Sequence, residues 1–134
     1  MNRLFLDANI LFTAAHNPDG KAAFLIQSSR AGHWVVLTSA LAIEEARRNL
    51  SRKYPDRLQS LHQLPTLIEI VPSGDGSQCS IALPEKDRPL FEAAVRHGAT
   101  HFLTGDIRDF GPYMNRPEES RVVIQTVSQY LAGI

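Results

Sequence analysis

Cysteine is almost missing from this chain of 134 residues: Cys79 stands alone, in a Gly/Ser stretch. One thiol excludes an internal disulfide and any Cys-rich zinc site. Cysteine poverty fits a reducing compartment, and a cytoplasmic location is the expectation. Aromatic residues are scarce at 7%, so no extended base-stacking platform is expected. An excess of one charge is missing too, with 14 Lys plus Arg against 14 Asp plus Glu. That excludes a chain that is basic all over, but not a local cluster that grips nucleic acid. No apolar run approaches the roughly 20 residues that span a bilayer. The segment from Met1 to Asp7 lacks the apolar stretch and small-residue cleavage site of a signal peptide, and it reads more simply as a strand. The five histidines show no HExxH or other metal-ligand spacing.

What is present is ordinary globular chemistry, 43% hydrophobic and 21% charged, in a length that suits one domain over residues 1–134. Leu4-Phe5-Leu6, Trp34-Val35-Val36-Leu37, residues 67–71, His101-Phe102-Leu103-Thr104 and residues 121–125 read as short apolar strands. Helices are expected at 21–31, 40–53, 56–64, 84–97 and 127–131, and loops at 17–20, 72–84, 111–112 and 115–117. Thr38 or Ser39 can cap the helix from Ala40. Strands that alternate with helices, and that are apolar throughout, predict a three-layer α/β/α fold around a mostly parallel five-stranded sheet.

Ligands of such sheets sit beyond the carboxyl ends of the strands. Asp7 ends the first strand and Asp106 the fourth, natural neighbours at a topological switch point. Glu44 and Glu45 lie on the helix after the second strand, and Asp87 starts the helix before the fourth. Each acid also has a plainer use. Asp7 can cap a helix, and Asp106 and Asp109 can be solvated loop residues. Glu44 or Glu45 can pair with Arg48 one turn on, and Asp87 can serve the helix macrodipole. As a set they point elsewhere. Clustered carboxylates repel and resist desolvation, so such a group needs cations or protons. Mg²⁺ or Mn²⁺ suits hard oxygen ligands and can activate water against a phosphodiester.

Four stretches carry a resemblance: Phe5-Leu6-Asp7-Ala8-Asn9-Ile10-Leu11, Thr38-Ser39-Ala40-Leu41-Ala42-Ile43-Glu44-Glu45-Ala46, Asp87-Arg88-Pro89-Leu90-Phe91-Glu92-Ala93-Ala94 and Phe102-Leu103-Thr104-Gly105-Asp106-Ile107-Arg108-Asp109-Phe110. Together they resemble the PIN domain, the nuclease fold of VapC-type toxins and other RNA-processing proteins, over nearly the whole chain. The resemblance implies a metal-dependent endoribonuclease of single-stranded or unpaired RNA that leaves 5′-phosphate and 3′-hydroxyl ends. It implies metal-site carboxylates at Asp7, Glu45, Asp87 and Asp106, with Asp109 as an accessory acid and Asn9 and Thr104 in support. Glu44 competes with Glu45, and Glu85 with Asp87. A role as the toxin of a toxin–antitoxin pair, an antitoxin protein as partner and a homodimer are further expectations from the resemblance.

Arg47, Arg48, Arg52, Lys53 and Arg57 put five cations into eleven residues, with Asp56 as the only acid among them. Arg48 and Arg52 share a helix face with Glu45, so they are candidates to hold a phosphate backbone. Arg108 is a further candidate near the same edge. A competing expectation is a PIN-like module that binds RNA or protein without cutting. A phosphatase with an Asp nucleophile needs a second acid two residues after the first, where this chain has Asn9.

Overall fold

The computed structural model describes residues 1–134. Five strands, β1 (Arg3–Leu6), β2 (Val35–Ser39), β3 (Glu69–Val71), β4 (His101–Leu103) and β5 (Val123–Gln125), form one sheet in the order β3-β2-β1-β4-β5. All four pairings are parallel, so the expected "mostly parallel" sheet is wholly parallel. The strand order reverses direction between β1 and β4, which is the switch point where such sheets place ligands. Leu6 pairs with Leu103 there, and the Asp7 amide continues the ladder to the Leu103 carbonyl at 3.0 Å.

Helices α1 (Ala8–His16), α2 (Lys21–Ser28), α3 (Ala40–Lys53) and α4 (Leu58–Gln63) pack as one layer, in which α1 touches the other three. The α5 helix (Arg88–Arg96) packs on β2 and β4. Short helices α6 (Ile107–Phe110), α7 (Pro117–Ser120) and α8 (Val127–Ala132) complete the chain, with α8 against α2. No helix is long and apolar enough to cross a membrane.

Local chemistry explains the boundaries. The spacing expectation had no helix at residues 8–16, yet Ala8, Ile10, Leu11, Ala14 and Ala15 bury one face of α1. Ala42, Ala46 and Leu50 form the buried stripe of α3, and the two alanines let α1 and α3 approach closely. Thr38 belongs to β2, where its hydroxyl bonds the Leu6 carbonyl at 2.7 Å, and Ser39 is the cap, accepting from the Ala42 amide at 3.2 Å. The expected helix over 56–64 is shorter. Pro55 and Pro65 open tight 3₁₀ turns at Pro55–Arg57 and Leu64–Leu67, confining α4 between them and delaying β3 to Glu69. A 3₁₀ turn at Glu85–Asp87 likewise precedes α5.

One core of 34 buried residues joins the layers. At its centre the Phe102 ring stacks on Phe5 and Phe110, with centroids 5.5 and 5.0 Å apart, and meets Phe91 at 5.4 Å. The loop before α5 is held from below by Glu92, a buried residue whose carboxylate accepts from the Gln78 amide at 2.8 Å. Gly74 lies so close to that carboxylate that a Cβ there would collide with it. The two sheet edges differ. β5 is covered by a parallel bridge from Met114, and the Asn115 amide bonds the Ile124 carbonyl at 2.9 Å. β3 has no strand on its outer side, and Ile70 is exposed there.

Phe102→Ala removes the ring on which the other three converge. It is expected to cost about 3–5 kcal/mol, read as a lower urea midpoint in equilibrium unfolding.

Candidate active site

The site grows from the carboxyl ends of β1 and β4. Asp7 follows β1 and is almost wholly buried. One carboxylate oxygen accepts from the Ala8 amide at 2.8 Å and so caps α1. The other accepts from the Thr104 hydroxyl at 2.8 Å and from Asn9 Nδ2 at 3.1 Å. Asn9 also accepts from the Gly105 amide at 2.7 Å, tying α1 to the turn after β4. Thr104 Oγ1 in turn accepts from the Asp106 amide at 3.0 Å, and Asp106 caps α6 by accepting from the Asp109 amide at 3.1 Å. A continuous chain of hydrogen bonds therefore runs from Asp7 to Asp109.

Asp87 reaches the same place from the 3₁₀ turn before α5. Carboxylate oxygens of Asp87, Asp106 and Asp109 all lie within 4.8 Å of one another. Asp87 is buried, and its Oδ2 has no hydrogen-bond partner. Glu85 is exposed and lines a different hollow with Asp75 and Arg88. Asp7 and Glu45 are both outside the tight trio; Glu45 is half-buried on α3, and its charge is felt at Asp7. Neither neighbouring acid on α3 pairs with Arg48. Glu44 instead grips Arg47 with both oxygens, at 2.8 and 2.6 Å.

Burial pushes the Asp7 carboxyl up to about 6, with Glu45 adding to the rise and the Thr104, Ala8 and Asn9 hydrogen bonds opposing it. Burial pushes Asp87 up to about 7, reinforced by the charge of Asp7, opposed by Lys86, and raised further by Asp106 and Asp109. An all-oxygen donor set with an orphaned buried oxygen suits a hard divalent cation, which would relieve the same repulsion.

Beside the acids runs a groove of about 770 Å³, lined by Asn9 and Thr13 of α1, by Glu45, Arg47, Arg48, Asn49, Ser51, Arg52 and Lys53 of α3, and by Lys86. Its one apolar lining residue is Phe12, with Lys53 Nζ 5.8 Å from the ring centre. Arg52 bonds Asn49 at 2.6 Å. Arg108 is exposed on α6 and does not line the groove. Sequence spacing gives no reason to single out Lys86, Asn49 or Thr13. The one signal for Lys86 is its adjacency to Asp87.

These features define a class of protein: a parallel α/β fold with an acidic centre at its switch point and a basic groove alongside. A family model for the PIN domain matches residues 3–108, and the chain belongs to that family. No curated protein matches it. Among solved structures, it is similar to a chain of VapBC2 from Rickettsia felis bound to a DNA fragment from the promoter. That match has 14% identity and a TM-score of 0.66, and covers 92% of this chain and 98% of that one. It is also similar to PAE2754 from Pyrobaculum aerophilum, with 15% identity, TM-score 0.65 and coverage of 98% and 88%. A third is VapC20 from Mycobacterium tuberculosis, a Sarcin-Ricin loop cleaving toxin, with 12% identity, TM-score 0.57 and coverage of 82% and 95%. At these identities the likeness is one of fold.

Asp7 and Asp87 both stand above the ordinary Asp value of 3.8 when folded. The folded state therefore holds more protons than the unfolded chain between about pH 4 and pH 7, and metal-free stability from these groups falls as pH rises through that window. Asp87→Asn is expected to raise the melting temperature of metal-free protein above pH 7, with the gain vanishing near pH 4. Thermal unfolding of both proteins in chelator across that range checks it.

Proposed function

We propose that this PIN domain is a metal-dependent endoribonuclease acting on single-stranded or unpaired RNA. The observation that carries the reading is a separation of charge. The structure has three ion pairs, Arg3–Glu69, Arg47–Glu44 and Arg96–Glu92. Asp7, Glu45, Asp87, Asp106 and Asp109 are in none of them, and neither are Arg48, Arg52, Lys53 and Lys86 in the adjoining groove. Acids and cations that neighbour one another without pairing suit a substrate that brings its own charge: divalent metal to the acids, polyanion to the groove. PIN domains are typically nucleases, and the shared fold with a Sarcin-Ricin loop cleaving toxin supports RNA as the polymer.

Asp87, Asp106 and Asp109 would hold Mg²⁺ or Mn²⁺, with Asp7 and Glu45 as the adjoining carboxylates. Bound there, the ion supplies Lewis acidity that activates water and offsets charge on the phosphodiester. Thr104 and Asn9 hold the Asp7 carboxylate in one orientation and leave it no freedom to swing. The residues of α3 position the RNA backbone without reading its sequence. The likeness to VapBC2 extends the proposal to a toxin with a protein partner that restrains it.

The test is cleavage of mixed fluorescent single-stranded RNAs in Mn²⁺, Mg²⁺ or EDTA. Wild type is expected to cut only with metal, and Asp106→Asn and Asp7→Asn to fall to background. RNA binding without cutting, in folded protein that takes up metal, would overturn the nuclease and leave a binding module. Thr104→Val frees one side of Asp7 and is expected to weaken Mn²⁺ binding about 10- to 100-fold, read by calorimetric titration.

A further inference from the structure

The groove's cations come from two elements. Arg47, Arg48, Arg52 and Lys53 belong to α3, where Glu44 already holds Arg47, whereas Lys86 belongs to the 3₁₀ turn that also carries Asp87. Lys86 is exposed, and its ammonium makes neither a hydrogen bond nor an ion pair. Arg48 is equally unbonded and exposed, one helical turn after Glu45. Each of these cations therefore adjoins an acid of the candidate centre, Lys86 beside Asp87 and Arg48 beyond Glu45. The charge of Lys86 already acts on Asp87 through space, yet its ammonium is committed to no carboxylate and stays free to take a further anion in the groove.

We propose that Lys86 and Arg48 form a two-sided phosphate subsite, which takes the backbone phosphate of a single strand next to the one presented to the acids. The inference rests on the nuclease reading and adds a specific binding role for Lys86. Lysine suits it, because a compact ammonium on a long stem engages one phosphate as a point charge and fixes no base. The strand then lies between α3 and the turn of Asp87, its path through the groove set by cations on both sides. A single row of arginines on α3 would hold the strand from one side only.

The test is fluorescence anisotropy of a labelled short single-stranded RNA in Mg²⁺, across a salt series. It uses the Asp106→Asn protein as parent so that the RNA stays whole. Adding Lys86→Ala, or Arg48→Ala, is expected to lower the log–log salt slope by about 0.7, the value of one phosphate contact on a single strand, and to weaken binding about threefold. Lys86→Arg restores both. Lys21→Ala, which removes the same charge from α2 where Lys21 bonds Ser128, leaves the slope unchanged. A Lys86→Ala slope equal to that of Lys21→Ala overturns the subsite while the nuclease reading stands. A parent protein that binds no RNA at any salt overturns both.

Discussion

Asp7 follows Leu6, Leu6 pairs with Leu103, and Thr104 follows Leu103, so the parallel register of β1 and β4 brings the Asp7 carboxylate and the Thr104 hydroxyl to 2.8 Å. Everything else at this end of the molecule hangs from that contact. Thr104 receives the Asp106 amide, Asp106 receives the Asp109 amide, and Asn9 closes the circuit through Gly105. A slip of one residue between the two strands would turn the side chains of one to the other face and dissolve the arrangement. The buried phenylalanines support the observed register, in which Phe5 pairs with Phe102 and their rings stack.

The same contact has a cost. Two acids are buried where solvent would otherwise carry their charge, and one Asp87 oxygen has no partner at all. A fold selected for stability alone would place a hydrogen-bond donor or an apolar side chain there. Sites that do chemistry commonly run against stability in this way. The helix caps show how the molecule limits the loss: Asp7 and Asp106 each stabilise a helix N-terminus with one carboxylate oxygen.

Much of this was legible in the chain because it depends on short runs. Leu4-Phe5-Leu6-Asp7 and Phe102-Leu103-Thr104-Gly105-Asp106 announce two apolar strands that end in acids, and a parallel sheet leaves few ways to seat them apart. Of the two readings of Asp7 the helix cap is realised, one oxygen taking the Ala8 amide, while the other oxygen is held by Thr104 and Asn9 beside the trio of Asp87, Asp106 and Asp109. The choice between Glu44 and Glu45 was not legible. Arg47 takes Glu44, a pairing the spacing did not single out, because i,i+3 and i,i+4 partners are equally available on a helix. The helix over 8–16 was obscured by its composition, a run so apolar that a buried strand and a buried helix look alike. The groove was hidden for a different reason: it joins Asn9, the α3 cations and Lys86, which no local spacing connects.

The unequal edges of the sheet bear on how copies of this chain can associate. With Met114 and Asn115 laid over β5, β3 is the edge of the sheet that no other strand covers. Two molecules that meet through β3 exhaust each other's open edge, giving a closed pair with a two-fold axis. A third molecule finds no strand to extend. Runaway sheet growth, the hazard of exposed edges in general, would thus be limited by a covering of a few residues on the opposite side.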